Sequence, residues 1–282
     1  MPANSIPRRV LKRILYPVLN GKGYQTVQSL AKAWDIFIGS GAEPEQQLIP
    51  FAVRAGDTAL DIGANYGFYA YPLSRAVGPR GKVVAFEPVP FVCGAFRQVG
   101  KILRFRNVEL IPKGCSDRTG PVAFTLPIQG SGAPSAGLTH MGLRNNERGG
   151  KDLHFPYPKT EVIWCEVVRL DDFLPELSDL SFVKCDIEGA ELFAFRGAEK
   201  MIARHCPTVL CEINPWFLEG FGIELPGLVG FFLDRGYRLY RYMEREGRHR
   251  LIPVGLSEIE EDNYLFIHPR YRDRFLPVME EG

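Results

Sequence analysis

Two spacings of apolar residues alternate along the chain. Short apolar runs at Thr58–Ile62, Lys82–Phe86, Val108–Pro112, Ser181–Asp186 and Thr208–Ile213 have the length and bounding turns of buried strands. Between them, apolar residues recur at helical spacing over Phe68–Val77, Phe91–Leu103 and Leu225–Arg235, and again from Leu192 through Phe195. Tyr237–Tyr242 and Asn263–His268 read as the last strands, a closing hairpin-like pair. Alternation of this kind predicts an α/β fold: a parallel sheet with helices on both faces. Ligands of such sheets sit at the carboxyl ends of the strands.

The alternation breaks twice. Between Pro121 and Leu170, Val122–Leu126 and Glu161–Val168 alternate like two antiparallel strands. They enclose residues 127–159, rich in Gly, Ser, Pro and Asn and carrying His140, Arg144, Arg148 and His154. An aperiodic segment of that length reads as a lid or recognition loop, or else as a surface insertion. The other break is the N-terminal extension, residues 1–54, set before a main domain of 55–282. Arg8, Arg9, Lys12, Arg13, Lys22 and Lys32 fall in its first 34 residues, with no acid among them. Val10, Leu11, Ile14, Leu15, Val18 and Leu19 recur at helical spacing. The expectation is a basic amphipathic helix packed on the core with its charged face in water. Peripheral contact with an anionic membrane, or a cover over a substrate pocket, are the other uses of such a helix. Pro44–Val53 reads as a second helix.

Composition narrows the function classes. The formal net charge is +1, which gives no case for a nucleic-acid-binding protein. None of the six cysteines forms a C-x-x-C pair, and Cys185 and Cys211 lie inside apolar runs. They read as buried thiols of a reducing, cytoplasmic compartment, not as a disulfide framework or a zinc site. No run approaches the ~18 apolar residues of a membrane span. Pro17, Asn20 and Gly21 interrupt the N-terminal apolar segment too soon for a signal peptide.

The candidate chemistry starts at Asp61-Ile-Gly-Ala-Asn-Tyr-Gly67. A strand runs through Gly63, Asn65 and Gly67 into a helix, the opening of a nucleotide-binding unit. Glycine permits a sharp turn and a close approach of ligand to backbone. Yet the strand ends in Asp61, and a carboxylate there repels phosphate and welcomes a cation. S-adenosylmethionine carries an ammonium and a sulfonium and no phosphate. Glu87, at the end of the second strand, is placed to accept ribose hydroxyls. Ser116 and Asp117, after the third strand, are placed to meet an adenine edge.

Asp186, Glu188 and Glu212 follow the fourth and fifth strands and converge with Asp61 and Glu87 on one crevice. Lys184 and Asp186 share a face of their strand. Methyl transfer to an alcohol suits this set. The protein must align the attacking oxygen and take its proton. Asp186 or Glu188 would be the base, and Lys184 would orient the oxygen or pair with the acid. Asp186, Glu212 and Asn214 offer an alternative hard-oxygen site for Mg²⁺, although a cationic cofactor already accounts for the acids.

Taken together, these residues resemble the FkbM-type methyltransferases. The resemblance runs from about Gly56 to Asn214. It rests on Asp61-Ile-Gly-Ala-Asn-Tyr-Gly67, Phe86-Glu-Pro88, Ser116-Asp117 with Gly120, Leu170-Asp-Asp-Phe173, Val183-Lys-Cys-Asp-Ile-Glu-Gly-Ala-Glu191, Gly197-Ala198, and Pro207 through Ile213. It implies a Rossmann-like class I methyltransferase sheet of seven strands, the last antiparallel. It also implies S-adenosylmethionine as cofactor and O-methylation of a small-molecule hydroxyl in a sugar or secondary metabolite. Two other readings are a nucleic-acid base methyltransferase and a non-catalytic cofactor-binding module. The Asn/Asp-Pro-Pro-aromatic run of the first is absent after the fourth strand, where Asp186-Ile-Glu-Gly stands. Intact Asp61, Glu87 and Asp186 argue against the second.

Overall fold

The computed structural model describes residues 6–129, 134–142, 159–245 and 247–280. In these residues the strands are β1 (Thr58–Ile62), β2 (Lys82–Phe86), β3 (Val108–Ile111), β4 (Gly114–Cys115), β5 (Gly120–Ile128), β6 (His140–Met141), β7 (Lys159–Val168), β8 (Leu180–Cys185), β9 (Thr208–Ile213), β10 (Arg238–Arg245), β11 (Arg248–Pro253) and β12 (Asp262–Ile267). Eight of them form one sheet in the order β11-β10-β12-β9-β8-β1-β2-β3. β3, β2, β1, β8 and β9 run parallel. β12 lies antiparallel between β9 and β10. The expected seven-strand arrangement is therefore present, with β11 added at the edge as an antiparallel hairpin partner of β10. The anticipated closing pair, β10 and β12, are antiparallel neighbours joined through β11 instead of by one turn.

Period-two alternation divides the core. Leu60, Ile62, Val84, Phe86, Val183, Cys185 and Val209 face the helices Glu191–Arg196 and Leu225–Leu233. There Phe232 stacks on Phe266 at 4.2 Å between centroids. Ala59, Val83, Ala85, Phe182 and Leu210 face the helix Ala70–Val77 and Phe275. The β1 strand is buried at all five positions. On the second face the apolar series stops at the carboxyl end, where Asp61 and Lys184 stand opposite each other in register.

A second sheet, β4-β7-β5-β6, grows from the exit of β3. β5 and β7 pair antiparallel over their length, as the alternation predicted. Part of the 127–159 segment returns to this sheet: β6 pairs with β5 through His140 and Thr125. Arg144, Arg148 and His154 lie outside the described residues.

The N-terminal helix runs from Ile6 to Phe37 and packs on the helix Pro90–Leu103. Gln25 donates to the Phe91 carbonyl at 2.7 Å, and Tyr24 stacks on the Phe91 ring. The second expected helix is a 3₁₀ turn, Pro44–Leu48, running into a short α-helix, Ile49–Ala52. No described helix is long and apolar enough to cross a membrane.

Candidate active site

The turn after β1 is shaped by its neighbours in the protein. Gly63 has φ +83°, and a Cβ there would lie 1.9 Å from the Asp186 carbonyl oxygen. The exits of β1 and β8 thus pass each other with no room for a side chain. Gly67, at φ +93°, would push a Cβ against Phe96 and Phe105. Asn65 itself takes a left-handed conformation, φ +49°. Glu87 holds the turn: its two carboxylate oxygens accept the backbone N–H groups of Asn65 at 3.0 Å and Val89 at 2.9 Å. Internal packing alone thus requires glycine at both positions.

A crevice opens at the carboxyl ends of the parallel strands, lined by Gly63, Asn65, Glu87, Pro88, Asp186, Glu188 and Glu212, with Phe124, Gly137 and Thr139 from the second sheet and its loop. Four carboxylates and no Lys or Arg line it among the described residues. Asn65 is also in the lining, and its Oδ1 is a buried atom without a hydrogen-bond partner among the described residues. Burial pushes the Glu87 carboxyl up to about 7, against the two backbone N–H groups that favour its charge. A small apolar recess adjoins the crevice, sharing Gly63, Pro88, Phe124 and Ile187 and closed by Phe86, Cys115, Met141 and Ala190.

Behind the crevice lies a buried charge network. Lys184 is 2% exposed and centres it. Its Nζ donates to Asn263 Oδ1 at 2.7 Å and lies 3.7 Å from Asp186 Oδ2, 4.0 Å from Glu43 Oε2 and 5.1 Å from the Tyr69 ring centre. Burial alone would lower its affinity for a proton. Asp186, Glu43 and Glu212 outweigh that and raise it, so the ammonium is charged. Asp61 sits beside this ammonium, 1% exposed, with Oδ2 lacking a partner. Desolvation pushes its carboxyl up to about 7, although Lys184 pulls the other way. Glu212 is raised well above the usual carboxylate range, by burial first and then by the neighbouring Asp186 carboxylate. The ligand oxygens of Asp186, Glu188 and Glu212 lie within 4.8 Å of one another.

The turn carrying Glu188 is itself strained and clamped. Glu188 has φ +57° and Gly189 φ +97°, and Glu191 Oε1 accepts the backbone N–H groups of Ile187 and Gly189. Glu191 is thus the fastener of the loop that presents Asp186 and Glu188. Asn214, the amide member of the alternative Mg²⁺ trio, spends its Oδ1 capping the helix Pro215–Glu219 through the N–H groups of Trp216 and Phe217. The oxygen beside Asp186 and Glu212 comes instead from Glu188.

The crevice lining thus brings together Gly63, Asn65, Glu87, Asp186 and Glu188, with Lys184 and Asp61 behind them. Ser116 and Asp117 are outside the lining. The Ser116 carbonyl packs where a Cβ of Gly197 would stand, 2.0 Å away, and the Asp117 carbonyl accepts from Arg169. Glu43, Tyr69 and Asn263 were not anticipated. Glu43 Oε2 accepts from the Tyr69 hydroxyl at 2.7 Å and from Asn263 Nδ2 at 3.1 Å. One signal was available for Asn263. An antiparallel strand beside β9 starts where β9 ends, so its first residues reach the crevice, and Asn263 is in register with Glu212.

A sheet of this order, with an acidic crevice across the ends of its parallel strands, is that of a class I S-adenosylmethionine-dependent methyltransferase. Residues 61–239 match the family model of the methyltransferase FkbM domain, and the chain belongs to that family. Methyltransferase 1 of Beauveria bassiana is 26% identical over 147 residues, which are 50% of this chain and 57% of that protein. The match thus spans little more than half of that relative. Methyltransferase sdnD of Sordaria araneosa is 25% identical over 197 residues, 64% of this chain and 74% of that protein. Among solved structures, a methyltransferase FkbM from Methylobacillus flagellatus KT superposes with a TM-score of 0.45 at 17% identity, covering 75% of this chain and 43% of that one.

Proposed function

We propose that the protein transfers the methyl group of S-adenosylmethionine to a hydroxyl oxygen of a small molecule, a sugar or secondary metabolite. The observation that carries the reading is the crevice lining, with its four carboxylates and, among the described residues, no Lys or Arg. Such a lining suits a ligand with a cationic amino-acid end. Gly63 and Asn65 would meet the methionine end and Glu87 the ribose, its oxygens having lone pairs left after the two backbone N–H groups. Asp61, behind the turn, adds negative potential. When bound, the cofactor supplies a methyl group already activated on a sulfonium.

The chain's own task is to position the acceptor and take its proton. Asp186 and Glu188 stand together at the crevice, beyond the carboxyl end of β8. The carboxylate of this pair nearest the hydroxyl accepts its proton as the oxygen–methyl bond forms. Lys184 holds Asp186 in place at 3.7 Å, and Glu191 fixes the turn that carries Glu188. The test is formation of S-adenosylhomocysteine with a panel of hydroxylated, amino and thiol acceptors, the product methyl being located by NMR. Methyl on nitrogen, carbon or sulfur in every product would overturn the assignment to oxygen.

A further inference from the structure

The N-terminal helix has two unlike sides in its second half. Its inner side is fully engaged. Ser29, Ala33 and Ile36 are buried, Gln25 donates to the Phe91 carbonyl, and Gln28 donates to the Tyr66 hydroxyl at 2.8 Å. From Val27 to Phe37 the exposed positions carry none of the polar residues that a helix facing water normally shows. Leu30 is 55% exposed, Trp34 61%, Phe37 64% and Ile38, just past the helix end, 51%. With half-exposed Val27, these residues recur at steps of three and four and so form one stripe. A contiguous exposed apolar patch marks an interaction site.

Charge decides what fits it. Six basic residues and no acid precede Asp35, and Asp35 is buried. A second copy of the same helix would bring six like charges against these six. Lys32 lies over the Tyr66 and Phe68 rings, and the other five basic residues remain for a partner. An anionic phospholipid surface offers apolar depth for the stripe and negative headgroups for those five. Trp34 is the residue type that settles at that boundary. We propose that the N-terminal helix docks the protein on an anionic phospholipid surface, with Val27, Leu30, Trp34, Phe37 and Ile38 entering the headgroup layer. The helix lies along the surface and does not span it. Its inner side is bonded to Tyr66, the neighbour of Asn65, so docking sets the crevice close to the lipid.

The experiment is co-sedimentation of the full chain with vesicles of phosphatidylcholine alone, and of phosphatidylcholine mixed equally with phosphatidylglycerol. Wild type is expected to sediment with the mixed vesicles only, and less as salt rises. Combined Trp34→Ser and Phe37→Ser is expected to weaken that binding at least tenfold. Arg8→Gln and Arg9→Gln together should lose roughly fivefold for each charge removed. Because the Trp34 and Phe37 side chains are exposed, the variant that replaces them should fold, and unchanged cofactor affinity is the control for both variants. In a Trp164→Phe, Trp216→Phe background, Trp34 emission should shift to the blue on adding mixed vesicles. Absence of wild-type sedimentation with mixed vesicles overturns the proposal, as does wild-type binding by the Trp34/Phe37 variant. So does light scattering that shows a dimer which the same variant splits into monomers, since the stripe would then belong to a second copy.

Discussion

Glu87 Oε2 accepts the backbone N–H of Asn65 at 3.0 Å, so the end of β2 fixes the turn that follows β1. One carboxylate therefore shapes the loop and faces the crevice. Glu87→Ala should weaken S-adenosylmethionine binding by roughly 2–3 kcal/mol, the scale of hydrogen bonds to a charged group. Glu87→Gln should weaken it too, because one oxygen facing a backbone N–H becomes an amide donor. Calorimetric affinities equal to wild type in both would remove Glu87 from the site.

Cofactor affinity should fall as pH drops below 7. The cation is favoured by ionised carboxylates, and burial holds Glu87 and Asp61 at about 7. Each group that must lose a proton contributes up to about tenfold per pH unit below its pKa. Free-protein stability should respond in the opposite sense. These carboxyls bind protons more tightly folded than unfolded. Their contribution is complete below the unfolded value near 4 and is lost as pH rises through about 7. Titration calorimetry in buffers of different ionisation enthalpy should show proton release on binding at pH 6. Equal affinity at pH 6 and 8 would contradict the assignment.

Asp186→Asn and Glu188→Gln should lower turnover by about 10²–10⁴-fold in whichever variant removes the base. Cofactor affinity should change much less. Single-turnover rates at saturating cofactor make the comparison. Near-normal rates in both variants would place the base elsewhere.

Gly63→Ala tests why glycine is there. A methyl group would meet the Asp186 carbonyl oxygen, and φ is +83°. Overpacking of about 1–3 kcal/mol adds to about 1–2 for left-handed backbone. Thermal unfolding of the cofactor-free protein should show the loss without any ligand present. An unchanged melting temperature would mean the glycine serves the ligand after all.

Asn214→Ala separates a cap from a metal ligand. Loss of the two backbone partners should cost about 1 kcal/mol in stability. Turnover per folded molecule should persist and should survive a chelator. Inactivation by chelator, restored by Mg²⁺, would instead return the acids to a metal role.

The sheet was legible because its strands are short, apolar and separated by helical spacing. β2 and β9 fall at the boundaries that spacing predicts, and β1 likewise. Asp61, Glu87, Asp186 and Glu188 were legible because strand ends of a parallel sheet converge. Glu43 and Asn263 were not, because they reach Lys184 across 141 and 79 residues of chain with no shared motif. The outer stripe of the N-terminal helix was hidden for a different reason. Apolar residues at helical spacing normally mark the buried side. In this helix they also mark the exposed one, and only the position of the Pro90–Leu103 helix tells the two apart.

The place of β12 has a consequence for synthesis. It is the last of the described strands in chain order, yet it lies inside the sheet, between β9 and β10. Until residues 262–267 leave the ribosome, a nascent chain holds two open strand edges, each a template for wrong pairing. The same strand delivers Asn263, whose amide oxygen meets the buried Lys184 ammonium. Insertion of one strand therefore both closes the sheet and completes the polar shell of that ammonium, beside Asp186 and Glu43.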